Sequence, residues 1–362
     1  MANNIPTPVS FFNTGEHETI GYQLDIGKNI ITLPNGVPLK FADIIALAGD
    51  YYGIPDSPIA NPLENPGQPD PGVTKRFKNA YSTLAETPYK GKYKEQLDKL
   101  LKMIKDEMLC KTAGCHHTDK EWDEATRGIW VGGIPVVPGR MLLLGEKNFD
   151  HFEPHAKMAY LAGHEYSIQK AREAGQSSEK DRKKLLDMAY SIEAFALHFF
   201  TDSFASGHIR TPRVALPTNV TPSLTGDLLS KYMHDEDNKF GLRVTNVRGD
   251  KWIAYGDGML KNTKDEKNFK IAVEAAQASV DQVVKAYKNP DEKIDPSAVT
   301  DLLPFVDESE KNNTPLFQVK DGKLHRRLDI NNLQDKKTIT NWWGTTTAVK
   351  LHWSYKPHNS AI

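Results

Sequence analysis

EKDRKKLLDMAYSIEAFALHFFTDSFASGH (residues 179–208) is the stretch that decides the fold. Its first part mixes charged and apolar residues at the spacing of an amphipathic helix, and its later part contains the run AFALHFF (residues 194–200), which is apolar except for His198. We therefore predict a helix over 179–205. On that helix His198 and Asp202 are four residues apart, so both side chains project from one face about one turn apart.

Other segments show the same helical spacing of apolar residues. We predict further helices over residues 94–109, 154–173, 227–240 and 266–287. Between them, residues 57–72 and the segment 132–140 are rich in Pro and Gly and are predicted as irregular loops. A mainly α fold follows from this pattern.

The character of the sequence changes after about Pro290. Residues 316–330 alternate as strands do and contain a turn signal at Asp321-Gly322, and residues 347–356 are predicted as a strand as well. We therefore predict a helical bundle over residues 1–290, followed by a small C-terminal β-containing appendage over residues 291–362.

Composition narrows the function classes. The 362 residues include 46 Lys plus Arg and 47 Asp plus Glu, so the net charge of -1 creates no global field that would attract nucleic acid, and none is expected as a partner. The first residues lack the basic and apolar regions of a signal peptide, and no apolar run approaches the roughly 20 residues that span a bilayer. Neither a signal peptide nor a transmembrane segment is therefore expected in this chain.

The two cysteines, Cys110 and Cys115, lie in LCKTAGCHH. Two interpretations stay open. A disulfide across a short loop of an exported protein is favoured over a metal site, because structural zinc pairs are usually spaced more tightly and need a second pair of ligands nearby.

Histidines elsewhere extend the His198 and Asp202 pair. Gly207 is predicted to break the helix, which lets His208 leave the helical track, and His151 lies in NFDHFEP immediately before another helix. His234, in HDEDN, lies on a further predicted helix. Bundles build multinuclear metal sites from inward groups of this kind. A His-Asp pair that merely holds two helices together is the alternative, and it is the commoner situation for an isolated pair.

Imidazole and carboxylate ligands without thiolate favour zinc, with manganese and iron as alternatives. His164 is interpreted as a core or supporting residue instead of a ligand.

HFFTDSFASGH, preceded by NFDHF and followed by HDEDN, resembles the zinc-dependent phospholipase C family, whose superfamily also contains single-strand-specific nucleases. The phrases ALAGDYYG and GHIRTPR are similar to a longer gammaproteobacterial branch of that family. The resemblance implies a helical domain that binds a cluster of two or three zinc ions. It implies metal ligation by His151, His198, Asp202, His208 and His234.

The chain departs from the family pattern at three ligand positions. It has no N-terminal Trp whose amino group could bind zinc, and His17 is the expected substitute. Asn238 stands where the family has Glu four residues after its last His, and Asp237 is the expected replacement. No carboxylate stands about a dozen residues before NFDHF, so Asp50 of ALAGDYYG is expected to take that place.

The resemblance implies an enzyme that hydrolyses glycerophospholipids of a membrane surface to diacylglycerol and a phosphorylated headgroup, outside the producing cell. Asp50 is expected to orient the attacking water or take its proton. Arg210 and Arg213 are expected to bind phosphate through their planar donor groups. A nuclease or nucleotidase of the same superfamily, and a non-catalytic helical interaction module with degenerate metal ligands, are the alternatives.

Overall fold

The computed structural model of this chain describes residues 14–63, 70–109, 117–256 and 258–362. About 53% of the described residues lie in helices, and the strands form only small antiparallel sheets. The prediction of a mainly α fold is confirmed.

The helices are α1 (Thr14–Gly21), α2 (Phe41–Leu47), α3 (Val73–Ala85), α4 (Lys92–Leu109), α5 (Asp119–Ala125), α6 (Arg140–Gly145), α7 (His155–Gln176), α8 (Glu179–Asp202), α9 (Ser206–Arg210), α10 (Ala215–Asn219), α11 (Ser223–Phe240), α12 (Glu266–Lys288), α13 (Ser297–Thr300) and α14 (Gly344–Ser354). The strands are β1 (Ile30–Thr32), β2 (Pro38–Lys40), β3 (Ile129–Val131), β4 (Ile134–Val137), β5 (Leu242–Thr245), β6 (Lys251–Ala254), β7 (Phe305–Val306), β8 (Phe317–Lys320), β9 (Lys323–Arg327) and β10 (Thr338–Ile339).

Helices α7 and α8 form the centre of the fold. Only two residues, Ser177 and Ser178, connect them, so they run antiparallel and pack along their lengths. Helix α12 packs on both, α3 packs on α7, and α2 packs on α8. Because α8 is enclosed in this way, every residue of its last ten is buried, which accounts for the apolar run over residues 194–200.

The five predicted helices correspond to α4, α7, α8, α11 and α12. The helix predicted over 179–205 ends earlier, at Asp202, and the chain turns at residues 203–205 before α9 begins. The break therefore precedes Gly207, which lies inside α9. Glycine is still required there, because an added Cβ would lie 2.5 Å from Cδ2 of His234.

Two predictions of local structure were wrong. Residues 347–356 lie mostly in helix α14 and form no strand. Their buried side chains include Ala348 and Leu351, which are three apart, whereas Val349 and Trp353, which suggested alternation, are exposed. The segment 132–140, predicted as an irregular loop, contributes to the β3–β4 hairpin.

The β-containing C-terminal part packs on the helical part through a core of its own. The predicted hairpin with its turn at Asp321-Gly322 is confirmed as β8 and β9. Leu316, Phe317 and Leu351 pack there with Leu229 and Met233 of α11.

Two further contacts join the C-terminal part to the preceding residues. Buried Arg327 donates to both carboxylate oxygens of Glu236 at 2.8 and 2.7 Å, and β7 pairs with β5 in one sheet. Among the described residues, no helix has the length and apolar character that crossing a bilayer requires.

Candidate metal centre

A buried cluster of imidazole and carboxylate groups lies at the C-terminal end of α8. Its members come from five segments that are distant in sequence: α1, the loop after α2, the turn before α7, the end of α8, and α9. The clustered residues are His17, Asp50, His151, His198, Asp202 and His208, all buried. The structure therefore brings together six of the eight residues that the sequence suggested as metal ligands.

The Asp202 carboxylate lies at the centre of four imidazoles. Its Oδ2 is 2.9 Å from Nδ1 of His151 and 3.6 Å from Nε2 of His198. Its Oδ1 is 3.2 Å from Nδ1 of His208 and 3.6 Å from Nε2 of His17. Each oxygen thus faces two ring nitrogens from different segments, which is the arrangement expected of a carboxylate that bridges two cations.

The backbone of α2 orients His198. Its Nδ1 lies 2.9 Å from the carbonyl oxygen of Ile45, and because a carbonyl can only accept, Nδ1 carries the proton. Burial, followed by the neighbouring His17, lowers the pKa of His198 well below its ordinary value, so the ring is neutral and Nε2 holds a lone pair. That buried Nε2 has no hydrogen-bond partner among the described residues. This Nε2 faces a carboxylate oxygen of Asp202. The nitrogen lone pair and the carboxylate repel each other, so a cation between them would stabilise the contact.

Thr201 orients His17 in a similar way. Its Oγ1 lies 2.7 Å from Nδ1 of His17 and donates its own proton to the carbonyl oxygen of Leu197 at 2.8 Å or of His198 at 2.9 Å. The hydroxyl must therefore accept from His17 Nδ1, which leaves Nε2 directed at Asp202. Metal-binding histidines characteristically have their second nitrogen fixed by a hydrogen bond of this kind.

Asp50 completes the arrangement on the side of α2. Its Oδ1 lies 3.9 Å from both His151 Nδ1 and His198 Nε2, and Thr14 donates a hydrogen bond to its Oδ2 at 3.4 Å. Two triads have potential ligand atoms within 4.8 Å of one another. These triads are His17, Asp50 and His198, and His151, His198 and Asp202.

The pKa directions show how charge is arranged in the cluster. Burial would raise the pKa of Asp202, but the surrounding imidazoles, with His151 first, hold it well below the ordinary value. Burial opposes the charge on His151 as well, yet Asp202 raises its pKa to about 9. Burial lowers the pKa of His17 to about 4 and raises that of Asp50 well above its usual range. The rings of His17 and His198 are thus neutral, whereas His151 carries a charge that pairs with Asp202.

His208 and His234 extend the cluster along one side. The His208 ring packs against Phe152 with a centroid separation of 4.4 Å, and it lies 5.0 Å from the His234 ring. The Oδ1 of Asn238 accepts from the Gly207 amide at 2.6 Å, which directs its Nδ2 toward Nε2 of His234 at 3.0 Å. His234 is therefore near the cluster, and Nδ2 of Asn238 donates to its Nε2.

The structure does not bring Asp237 to the cluster. Arg210 donates to its two oxygens at 2.7 and 2.8 Å, and a further Arg210 nitrogen donates to the carbonyl oxygen of Asn313 at 2.9 Å. Asp237 was expected to replace the missing metal ligand, and Arg210 was expected to bind phosphate. In the structure the two side chains bind each other instead.

Arg213 is likewise engaged with the protein. It is buried and donates to Asn148 at 2.8 Å, to Asp227 at 2.6 Å, and to the carbonyl oxygens of Gly145 and Glu146 at 3.0 and 3.1 Å. These contacts hold the segment before His151 against α11, so Arg213 supports the position of the cluster.

A small cavity of about 20 Å³ adjoins the cluster. Its inner wall includes His151 and Asp150, and its outer wall includes Lys147, whose side chain is 44% exposed. Lys147 is the one Lys or Arg among the described residues that line the cavity. A volume of this size holds about one water molecule, and its lining extends from buried His151 to exposed Lys147.

Three supporting residues were not predicted from the sequence. Thr201 fixes His17, and Asp150 accepts from the Ile59 amide at 2.6 Å, which holds one wall of the cavity. Gly49 has a φ of +66°, and an added Cβ would lie 2.4 Å from His198 Nε2. A Gly immediately before the suspected Asp50 was the available signal for a close backbone approach.

His164 belongs to a separate buried network, in accord with its interpretation as a core residue. Its Nδ1 lies 2.9 Å from a carboxylate oxygen of Glu193, and its Nε2 lies 2.9 Å from Oε1 of Gln282.

Cys110 and Cys115 lie outside the described residues. Their pairing as a disulfide therefore stays a prediction.

Comparisons of the chain with protein-family models, with curated proteins and with solved structures found no match.

Proposed function

We propose that this chain is a zinc-dependent hydrolase of phosphate esters and, within that class, a phospholipase C. The observation that carries the proposal is the environment of Asp202, whose two oxygens each face two imidazole nitrogens. A structural ion pair would satisfy one histidine, whereas this carboxylate is shared by four. One carboxylate surrounded by four imidazoles is the arrangement expected if cations bind in the cluster.

The donor set favours zinc. Imidazole nitrogen and carboxylate oxygen without thiolate are typical of catalytic zinc sites. His17, Asp50, His151, His198, Asp202 and His208 would hold the ions, and two or three ions are proposed. When bound, zinc lowers the pKa of water toward neutrality and neutralises charge on a phosphate ester.

The residues of the cluster and of the adjoining cavity would have separate roles in metal binding and hydrolysis. Asp202 would hold the ions together, and His198 and His17 would be kept in the correct tautomer by Ile45 and Thr201. Asp50 would orient the attacking water or accept its proton, since it is buried at the edge of the cluster. Lys147 donates to Asp56 at 2.8 Å, but this ion pair lies at the surface, so Lys147, in place of Arg210 and Arg213, is the cation that would meet phosphate at the cavity.

The choice of phospholipid as substrate depends on the resemblance of NFDHF, HIRTPR and HDEDN to phospholipases. A nuclease of the same superfamily would use the same cluster, but the net charge of -1 argues against a groove for nucleic acid. Asn238 in place of the family's Glu is the observation that favours a non-catalytic module. We keep export from the producing cell as part of the proposal, and recovery of native protein only from the cytosol would contradict it.

The test compares two variants, each of which lacks one buried imidazole. His198→Gln removes a nitrogen of the cluster, and His164→Gln removes one from the separate Glu193 network, both at residues with no exposed surface. Metal content would be measured after dialysis, and headgroup release from phosphatidylcholine and phosphatidylglycerol would be measured beside cleavage of single-stranded DNA.

We expect zinc and lipid hydrolysis in the wild type and in folded His164→Gln, and loss of both in folded His198→Gln. Hydrolysis by protein without a bound divalent ion would contradict the mechanism. Cleavage of DNA alone would identify a nuclease, and zinc without either activity would identify a non-catalytic module.

A further inference from the structure

The hairpin of β3 and β4 has an unusual composition. Residues 128–139 read GIWVGGIPVVPG, and apart from the indole N–H of Trp130 this segment has no polar or charged side chain. Val131 pairs with Ile134 at its tip, and Gly132 and Gly133 form the turn with φ values of +60° and +84°.

The apolar side chains of this hairpin project into solvent. Val131, Ile134 and Val136 are 64%, 61% and 61% exposed, and Ile129 and Val137 are exposed as well. A two-stranded hairpin gains little stability on its own, and a contiguous exposed apolar patch usually marks an interaction site. These residues are therefore not explained by the core of the protein.

One buried carboxylate holds the base of the hairpin. Asp123 accepts from the indole nitrogen of Trp130 at 2.7 Å and from the Gly139 amide at 2.8 Å, so both strands are fixed where they leave the protein. The tip is thereby presented in a defined position.

Exposed cations lie near the base of the hairpin. Arg127 immediately precedes the hairpin and lies over the ring of Tyr93 at 4.8 Å, and the exposed residues Lys90 and Lys92 are close to Tyr93 in the sequence. An apolar projection with cations at its base is complementary to a phospholipid surface, because the apolar groups can enter the acyl boundary while the cations remain among anionic headgroups.

The hairpin is also continuous with the cavity beside the cluster. Strand β4 leads directly into α6, where Arg140 donates to the carbonyl oxygen of Tyr51, next to Asp50. Leu144 of α6 lines the cavity together with His151. The position of the hairpin is thus coupled through one short helix to the position of the proposed active site.

We infer that the β3–β4 hairpin inserts into the interfacial layer of a phospholipid bilayer and holds the cavity at the level of the headgroups. The choice of a bilayer as partner rests on the proposed function. Insertion stays shallow, because the outer edges of a two-stranded hairpin carry backbone groups that the hydrocarbon core would leave without hydrogen bonds.

The experiment measures sedimentation of the full chain with vesicles of phosphatidylcholine containing phosphatidylglycerol. Val131→Asp places a charge at the tip, and Val319→Asp makes the same change at an exposed position of β8, in the β8–β9 hairpin. We expect Val131→Asp to weaken vesicle binding by about 10-fold or more, and Val319→Asp to bind as the wild type does. Ile134→Asn should behave as Val131→Asp does.

Hydrolysis of a short-chain phosphatidylcholine below its micellar concentration separates this inference from the proposed function. Val131→Asp should retain that hydrolysis in full. If the wild type hydrolyses no lipid but binds vesicles through the hairpin, the proposed function fails and the inference stands. Vesicle binding by Val131→Asp at the wild-type level would overturn the inference. So would a wild-type dimer, seen by sedimentation velocity, that Val131→Asp converts to a monomer.

Discussion

Gly49→Ala is the substitution that tests the cluster most directly. Gly49 precedes Asp50 with a φ of +66°, a conformation that residues with a Cβ rarely adopt. An added Cβ would lie 2.3 Å from Cδ2 and 2.4 Å from Nε2 of His198, and 2.8 Å from Cε1 of His151. One methyl group would therefore collide with two of the proposed ligand rings.

The magnitude follows from these distances. Ordinary contact with a Cβ begins near 3.4 Å, so His198 Nε2 would have to retreat by about 1 Å. The left-handed backbone costs a residue other than glycine about 1–2 kcal/mol, and overpacking of a close-packed site costs about 1–3 kcal/mol more. Disturbing even a supporting contact of a metal site lowers affinity by about 10-fold to 100-fold, so displacing two ligands should lower it by roughly 100-fold or more.

A matched control separates backbone strain from collision. Gly36 has a φ of +84°, and its added Cβ would meet nothing within 4 Å. Gly36→Ala should therefore lower the free energy of unfolding by about 1–2 kcal/mol and leave zinc binding unchanged. Urea unfolding of chelator-treated protein and calorimetric titration with zinc would measure the two effects.

Gly49→Ala and Gly36→Ala should differ in both stability and zinc affinity. Its unfolding free energy should fall further than that of Gly36→Ala, and its zinc affinity should fall while that of Gly36→Ala does not. Wild-type zinc affinity in Gly49→Ala, with stability equal to that of Gly36→Ala, would refute the proposed cluster geometry.

Three more predictions follow from contacts around the cluster. Thr201→Val keeps the side-chain shape but removes the acceptor for His17 Nδ1, so zinc affinity should fall by about 10-fold to 100-fold in calorimetric titration, and an unchanged affinity would mean that His17 is no ligand. Arg213→Met leaves the buried Asp227 without its cation and should cost about 3–5 kcal/mol in urea unfolding without reducing zinc content, whereas unchanged stability with weaker hydrolysis would restore its expected role in phosphate binding. Burial raises the pKa of Glu107 from an ordinary 4.5 to about 7. Between pH 4.5 and pH 7 the folded protein therefore keeps a proton on Glu107 that the unfolded chain has lost. Glu107 therefore contributes up to about 3 kcal/mol of stability that is lost as the pH rises from about 4.5 to 7. Because the pKa values of Glu18 and Asp265 are raised as well, the wild type is compared with Glu107→Gln: the unfolding free energy of the variant should fall less over this range, and an equal fall would contradict the assignment.

Local periodicity made the helices predictable. The spacing of apolar residues in α8 and α12 depends on neighbours a few positions away, and the four-residue separation of His198 and Asp202 determines that they share a face. For residues 347–356 the apolar positions fitted an alternating pattern, but burial follows Ala348 and Leu351 in helix α14.

The partners of the polar side chains could not be read from the sequence, because they depend on contacts between distant segments. Arg210 and Asp237 are 27 positions apart, and no local pattern indicates that they pair with each other. The resemblance indicated that Asn238 stands where the phospholipase C family has Glu, but the contacts of its amide with Gly207 and His234 could not be predicted. The resemblance suggested His17 and Asp50, and the fold brings both to the end of α8.

The sharing of Asp202 among segments has a consequence for biosynthesis. His17 emerges early from the ribosome, while His208 follows much later, and the five contributing segments must all have packed before their nitrogens face the same carboxylate. A nascent chain therefore offers no complete ligand set until residue 208 has emerged and the five segments have packed, so the proposed metal would bind only after this part of the fold has formed. Metal uptake would in this way report that the central helices have packed around Asp202.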